Sequence, residues 1–147
     1  MYEIGKSFHF SAAHTIPGHP KCGRMHGHNY EVTVIVKSYL LNTKGMVIDY
    51  GDISKEVKPI LEEMDHKYLA PFNDRPSVPM AVSSVYQLPM TTSTAESIAE
   101  YIHDVLREVM ANYLQLEVKV CETPNTYAIY SSDESENTVS PGSLQDD

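Results

Sequence analysis

Alternating apolar and polar positions predict a first strand over residues 2–10. Tyr2, Ile4, Phe8 and Phe10 share one face, and only Lys6 breaks the series. Residues 15–25 hold two Pro and two Gly and read as a loop. Over residues 28–37, Tyr30, Val32, Val34 and Val36 face one way and Glu31, Thr33 and Lys37 the other. This second strand has one apolar and one wetter face, which suits an antiparallel sheet. The period then changes. Ile53, Val57, Ile60, Leu61 and Met64 form one helical face over 52–64, with Asp52 as the expected N-cap and Pro59 as an interior kink. Residues 70–92 contain four Pro without a clean period and read as a long loop. Ser93-Thr94-Ala95-Glu96 has the form of a capping box, with Ser93 as N-cap. A second helical face of Ile98, Ile102, Val105, Leu106, Val109 and Tyr113 follows. Leu116, Val118 and Val120 give a third strand, and residues 126–131 a short fourth after Thr123-Pro124-Asn125. The expected order is β-β-α-α-β-β, an α+β layer pair with two helices on one face of a four-stranded antiparallel sheet.

At 147 residues, 41% hydrophobic and 21% charged, the chain has enough apolar material for one self-sufficient domain, which excludes disorder throughout. Residues 132–147 are acidic, Ser-rich and without a base, and read as a flexible tail behind a single 1–131 domain. No run of about 18 apolar residues suggests a membrane span. The N-terminal residues lack the pattern of a secretory signal, so a cytoplasmic location is expected. In that setting Cys22 and Cys121 are not expected to form a disulfide. The net charge is −9. Five of the 20 acidic residues lie in the last seventeen positions, so the body holds 15 acids against 11 bases, or −4. That balance argues against nucleic acid as the main partner.

Four of the seven histidines fall between His14 and His28. His26-Gly27-His28 opens the second strand, where alternate residues point the same way, and glycine between them leaves room for close approach. His14 closes the strand expected to pair beside it. Three neutral imidazoles with no fourth protein ligand make the donor set of a catalytic zinc site with one open position. An H-x-H pair alone also arises by accident on surface strands. Cys22 lies between Lys21 and Gly23-Arg24, where cations favour a thiolate. Spacing leaves it open as a general base or as a fourth ligand closing a structural site. Asp65-His66 ends the first helix, where the imidazole also suits the negative end of the helix dipole. Glu122 follows Val118 and Val120 on the apolar face of the third strand. A carboxylate there is costly unless paired, so Glu122 marks either the strand end or an anchor for N–H donors.

Several segments, in order, resemble one known family. They are Phe8-x-Phe10-x-Ala12-Ala13-His14, Cys22-Gly23-Arg24-Met25-His26-Gly27-His28-Asn29-Tyr30, Gly45-Met46-Val47-Ile48-Asp49, Met64-Asp65-His66, Ser93-Thr94-Ala95-Glu96 and Glu122-Thr123. The family is that of 6-pyruvoyltetrahydropterin and 6-carboxytetrahydropterin synthases, and the likeness spans roughly residues 4–131. It implies the tunnelling fold, with trimers closing a barrel and two trimers stacking as a homohexamer whose active sites lie at subunit interfaces. It implies zinc on His14, His26 and His28, and acid–base roles for Cys22, Asp65 and His66. Glu122 would anchor a pterin with Thr94 nearby, and Lys21 and Arg24 are the nearest cations in sequence for a triphosphate. Three residues separate Cys22 from His26, the arrangement of the carboxy-type synthases. These convert 7,8-dihydroneopterin triphosphate to 6-carboxytetrahydropterin, acetaldehyde and triphosphate in 7-deazaguanine (queuosine) biosynthesis. Pyruvoyl-type synthesis from the same substrate is the alternative, and a zinc- or pterin-binding module without activity is the non-enzymatic one. Two features depart from the family pattern: the long 70–92 segment with Ala70 after Leu69, and the acidic tail.

Overall fold

The computed structural model describes residues 1–132 apart from positions 73, 75 and 77. The expected tail, from residue 133 onward, lies outside the described residues. The strands are β1 (Tyr2–His14), β2 (His26–Ser38), β3 (Lys67–Ala70), β4 (Val85–Gln87), β5 (Gln115–Thr123) and β6 (Thr126–Ser131); the helices are α1 (Tyr50–Met64) and α2 (Ala95–Val109). They form one sheet in the order β4-β3-β1-β2-β5-β6.

The four expected strands stand together as the antiparallel run β1-β2-β5-β6. Two short strands extend it past β1, and both pair in parallel: Ala12 opposite Lys67, and Tyr68 opposite Val85. The 70–92 segment is therefore not one long loop. It contains β4 and a single 3-10 turn at Val82–Ser84. Strands of three and four residues are too short to show a period, so the sequence pattern passed over them.

Both helices bury their apolar stripes on one face of the sheet. Phe8, Phe10, Val32, Val34, Val118 and Val120 meet Ile53, Val57 and Met64 of α1 and Ile98, Ile102 and Leu106 of α2 in one core. Lys6, on the same face, reaches out of it to the Ser54 hydroxyl of α1.

Both helix starts differ from the sequence expectation. Asp49, not Asp52, caps α1, its Oδ1 accepting the Gly51 N–H at 2.6 Å. Pro59 sits inside an unbroken α1 at an exposed position, where water can take the carbonyl its missing N–H leaves. Thr94, not Ser93, caps α2, accepting the Ser97 N–H at 3.2 Å. Ser93 is buried and engaged elsewhere: its carbonyl oxygen is bound by His14.

Candidate metal centre and catalytic cavity

The thirteen-residue register of β1 on β2 sets His14 directly opposite His26 and Ala12 opposite His28. Positions 14, 26 and 28 share the face that carries the core, so the three imidazoles converge where the pair of strands ends. Ring centroids are 4.6 Å apart for His14–His26, 5.1 Å for His14–His28 and 5.0 Å for His26–His28. One ligand nitrogen from each lies within 4.8 Å of the others. Gly27 eases the close pairing of the two strand backbones here, since a Cβ there would stand 3.1 Å from the Ala12 carbonyl oxygen.

Two of the rings are locked in one tautomer. His14 Nδ1 donates to the Ser93 carbonyl at 2.7 Å, and His26 Nδ1 donates to the Arg24 carbonyl at 2.7 Å. A carbonyl only accepts, so in each neutral ring the hydrogen sits on Nδ1 and Nε2 keeps a bare lone pair. Carbonyl-held imidazoles of this kind are the usual support of metal ligands. The Nε2 atoms of His14 and His28 are buried without a hydrogen-bond partner. Burial lowers the pKa of both rings below the usual histidine value of 6.5. They are thus neutral at pH 7, the form a metal needs. Buried ring nitrogens with no partner are costly, and a cation at their centre would satisfy them. The triad therefore fits a metal ion. Tyr30 braces it from the core side: its ring stacks on Phe10 at 4.8 Å and stands edge-on to His14 at 6.0 Å and His28 at 5.4 Å.

Glu122 stands over the cluster from β5, with one carboxylate oxygen 3.8 Å from His14 Nε2 and the other 3.8 Å from His28 Nε2. Both separations are longer than hydrogen bonds. The carboxylate is 28% exposed and lines a cavity of about 210 Å³ together with Cys22, His19, Thr94 and Glu96. Cys22, Thr94 and Glu122 thus come together beside the histidines. Among the described residues, the group whose ligand atoms are close enough to share an ion is His14, His26 and His28, without Cys22. Lys21 and Arg24 are exposed and do not line this cavity. Arg24 contributes to the centre through its carbonyl oxygen.

Asp65 and His66 lie elsewhere in the chain. The turn after α1 lays them against β1. Asp65 Oδ1 accepts the Ser11 N–H at 2.8 Å, the His66 N–H donates to the Ser11 carbonyl at 2.6 Å, and His66 Nδ1 donates to Asp65 Oδ2 at 2.9 Å. The Ser11 amide and, after it, His66 hold the Asp65 carboxyl below its usual value. His66 takes φ +59°, a left-handed conformation unusual for a residue with a Cβ, so the fold holds this turn against local preference. Its ring is exposed and borders a second cavity of about 710 Å³, shared with Ser11, Asn29 and Lys67. Within one chain, then, Cys22 and His66, the partner of Asp65, open onto different cavities.

The chain's similarities agree with this layout. Residues 3–133 match the family model described as 6-pyruvoyl tetrahydropterin synthase. The chain belongs to that family. It is similar to the 6-carboxy-5,6,7,8-tetrahydropterin synthase of Haemophilus influenzae, 33% identical over 141 residues that cover 88% of this chain and 99% of the relative. It is also similar to human 6-pyruvoyl tetrahydrobiopterin synthase, 34% identical over 109 residues, 74% of this chain and 67% of the relative. A solved structure of Plasmodium vivax 6-pyruvoyltetrahydropterin synthase superposes with TM-score 0.78 over 89% of this chain and 97% of its own, at 21% identity. That likeness shows the fold, the tunnelling fold expected from the motifs. This member of the pterin synthase family is an enzyme of the 6-carboxytetrahydropterin synthase type. Its substrate class is a small pterin. Among its described residues no helix is long and apolar enough to cross a membrane.

The sequence reading passed over three participants: His19 and Glu96 at the Cys22 cavity, and Ser93 as the partner of His14. Bonds from a ring to nearby amides, or from a backbone carbonyl to a distant ring, leave no pattern of residue types. The Pro17-Gly18-His19-Pro20 turn was the one available signal for His19.

Proposed function

We propose that this enzyme is a zinc-dependent 6-carboxy-5,6,7,8-tetrahydropterin synthase, which converts 7,8-dihydroneopterin triphosphate to 6-carboxytetrahydropterin, acetaldehyde and triphosphate. The observation that carries the reading is three imidazoles, two of them locked with Nε2 bare, beside a cavity lined by Cys22 and Glu122. His14, His26 and His28 hold the metal. Zinc bound there would supply Lewis acidity toward the hydroxyls of the substrate side chain. Glu122 accepts N–H bonds from the pterin's amino-pyrimidine edge, with Thr94 beside it. Cys22 takes a proton from the side chain as general base. Asp65 orients His66, which returns a proton. The two groups face different cavities of one chain, so the reading needs a neighbouring copy to bring Asp65 and His66 to Cys22. A homohexamer of stacked trimers does so, with residues 1–131 as the catalytic domain of each copy. Light scattering is expected to give that hexamer, and a monomer at micromolar concentration would remove this account of the site. Lys21 and Arg24 remain the proposed contacts for the triphosphate. A cytoplasmic location and a place in queuosine biosynthesis belong to the same reading.

The similarity to the human enzyme supports a second reading, pyruvoyl-type elimination of triphosphate that keeps the three-carbon side chain. One incubation with 7,8-dihydroneopterin triphosphate distinguishes the two. Acetaldehyde and a carboxylated pterin by mass are expected; a pterin retaining all three side-chain carbons, with no acetaldehyde, would replace the first reading with the second.

A further inference from the structure

The loop between β1 and β2 carries Cys22 on a closed set of bonds. The Cys22 carbonyl accepts the Ile16 N–H at 2.7 Å. The Cys22 N–H donates to His19 Nδ1 at 2.8 Å, and the Lys21 N–H donates to the same nitrogen at 3.2 Å. A ring nitrogen that accepts from amides carries no hydrogen, so the His19 proton is on Nε2. The His19 carbonyl accepts the Gly23 N–H at 3.0 Å, and a Cβ at Gly23 would stand 2.6 Å from that oxygen, a contact only glycine avoids. Both backbone polar groups of Cys22 are therefore fixed, and the ring that fixes one of them lines the same cavity as the thiol. A general base works only when held to the geometry of the proton it removes.

We infer that His19 is the positioning residue for Cys22: its Nδ1 gathers the loop amides so that the thiol faces the cavity at a set place. This rests on the reading of Cys22 as the base. The imidazole acts here as an acceptor aimed at amides two and three residues ahead, a task that an Asn side-chain oxygen also performs in an Asx turn.

That equivalence supplies the test. His19→Ala and His19→Asn are prepared as full-length, metal-loaded enzyme, with Cys121→Ser throughout so that Cys22 is the single thiol. Turnover of 7,8-dihydroneopterin triphosphate is measured beside the rate of Cys22 alkylation by iodoacetamide, metal content and melting temperature. His19 is exposed and outside the core, so metal content and melting temperature are expected to hold in both variants. In His19→Ala kcat should fall about tenfold, the worth of roughly two lost hydrogen bonds, with KM little changed. Cys22 alkylation should become faster as the loop loosens. His19→Asn should return both toward the parent values. Parent-like kcat and alkylation in His19→Ala would overturn the inference, and so would a loss that Asn fails to rescue. Should the parent not act on this substrate at all, the reading of the reaction fails. The alkylation arm then decides for His19 alone, by the same comparison of Ala with Asn.

Discussion

Replacing Glu122 by Gln keeps the side chain's shape while removing its charge and one of its acceptor oxygens. The structure separates what should follow. The carboxylate stands 3.8 Å from His14 and from His28, beyond hydrogen-bond range, and its side chain is 28% exposed, so the fold does not depend on it. Its charge does raise the pKa of both rings against the larger effect of burial. Glu122→Gln therefore leaves the imidazoles still more firmly neutral, and they keep their metal-binding form. What would be lost, on the proposed reading of Glu122 as the pterin anchor, is the pair of charge-assisted bonds to a pterin edge. Hydrogen bonds to charged groups are worth about 1.5–3 kcal/mol, and 1.4 kcal/mol is tenfold, so pterin affinity should fall roughly tenfold to a hundredfold. The assay is KM and kcat for 7,8-dihydroneopterin triphosphate, with metal content by atomic emission and melting temperature as controls. Unchanged KM and kcat would show that Glu122 is a strand end and no anchor. Loss of the metal would make it part of the ion's own shell.

Three other outcomes are expected. His26→Ala should lose most of the bound metal while the core, to which this half-exposed ring adds little, stays folded; one full equivalent of metal per chain in that variant would refute the ligand assignment. Cys22→Ala should keep metal and melting temperature and lose about 10²–10⁴-fold in turnover, the usual worth of a general base, and release of the metal would instead make Cys22 a ligand. Asp65 carries a lowered pKa, so its contribution to stability is present above its ordinary value of 3.8 and fades as pH falls through its folded value below that. The melting-temperature gap between the parent and Asp65→Asn should accordingly be constant near neutrality and close below about pH 3.8, and a gap that persisted at lower pH would contradict that origin.

Much of this was legible in the chain, for a physical reason. Long strands with one buried face must alternate, so Tyr30 to Val36 and Leu116 to Val120 declared themselves. So did the parity that puts His26 and His28 on one side. The shift to helical spacing at Ile53 and Ile98 was equally plain. Helix starts were misjudged by a residue or more, because several polar residues beside each start can cap it. Asp49 won over Asp52, and Thr94 over Ser93, through tertiary demands that no local pattern carries. β3 and β4 escaped because three or four residues pair by tertiary placement alone. The motif placed Cys22 and Asp65–His66 in one site by analogy, whereas a single chain sets Cys22 and His66 at two cavities. That separation depends on how β3 docks parallel to β1, which periodicity does not reveal.

The bond from His14 to the Ser93 carbonyl joins two parts of the molecule with different tasks. Ser93 immediately precedes the cap of α2, and Thr94, Ala95 and Glu96 of that first turn form one wall of the Cys22 cavity. The candidate metal cage and the wall of the Cys22 cavity thus share one backbone joint. With a metal bound at the triad, an ion with longer bonds to nitrogen would displace His14 and, through it, the start of α2, so ionic radius would be transmitted into the width of the pocket. Metal exchange in this enzyme should alter which substrates fit as well as how fast they react.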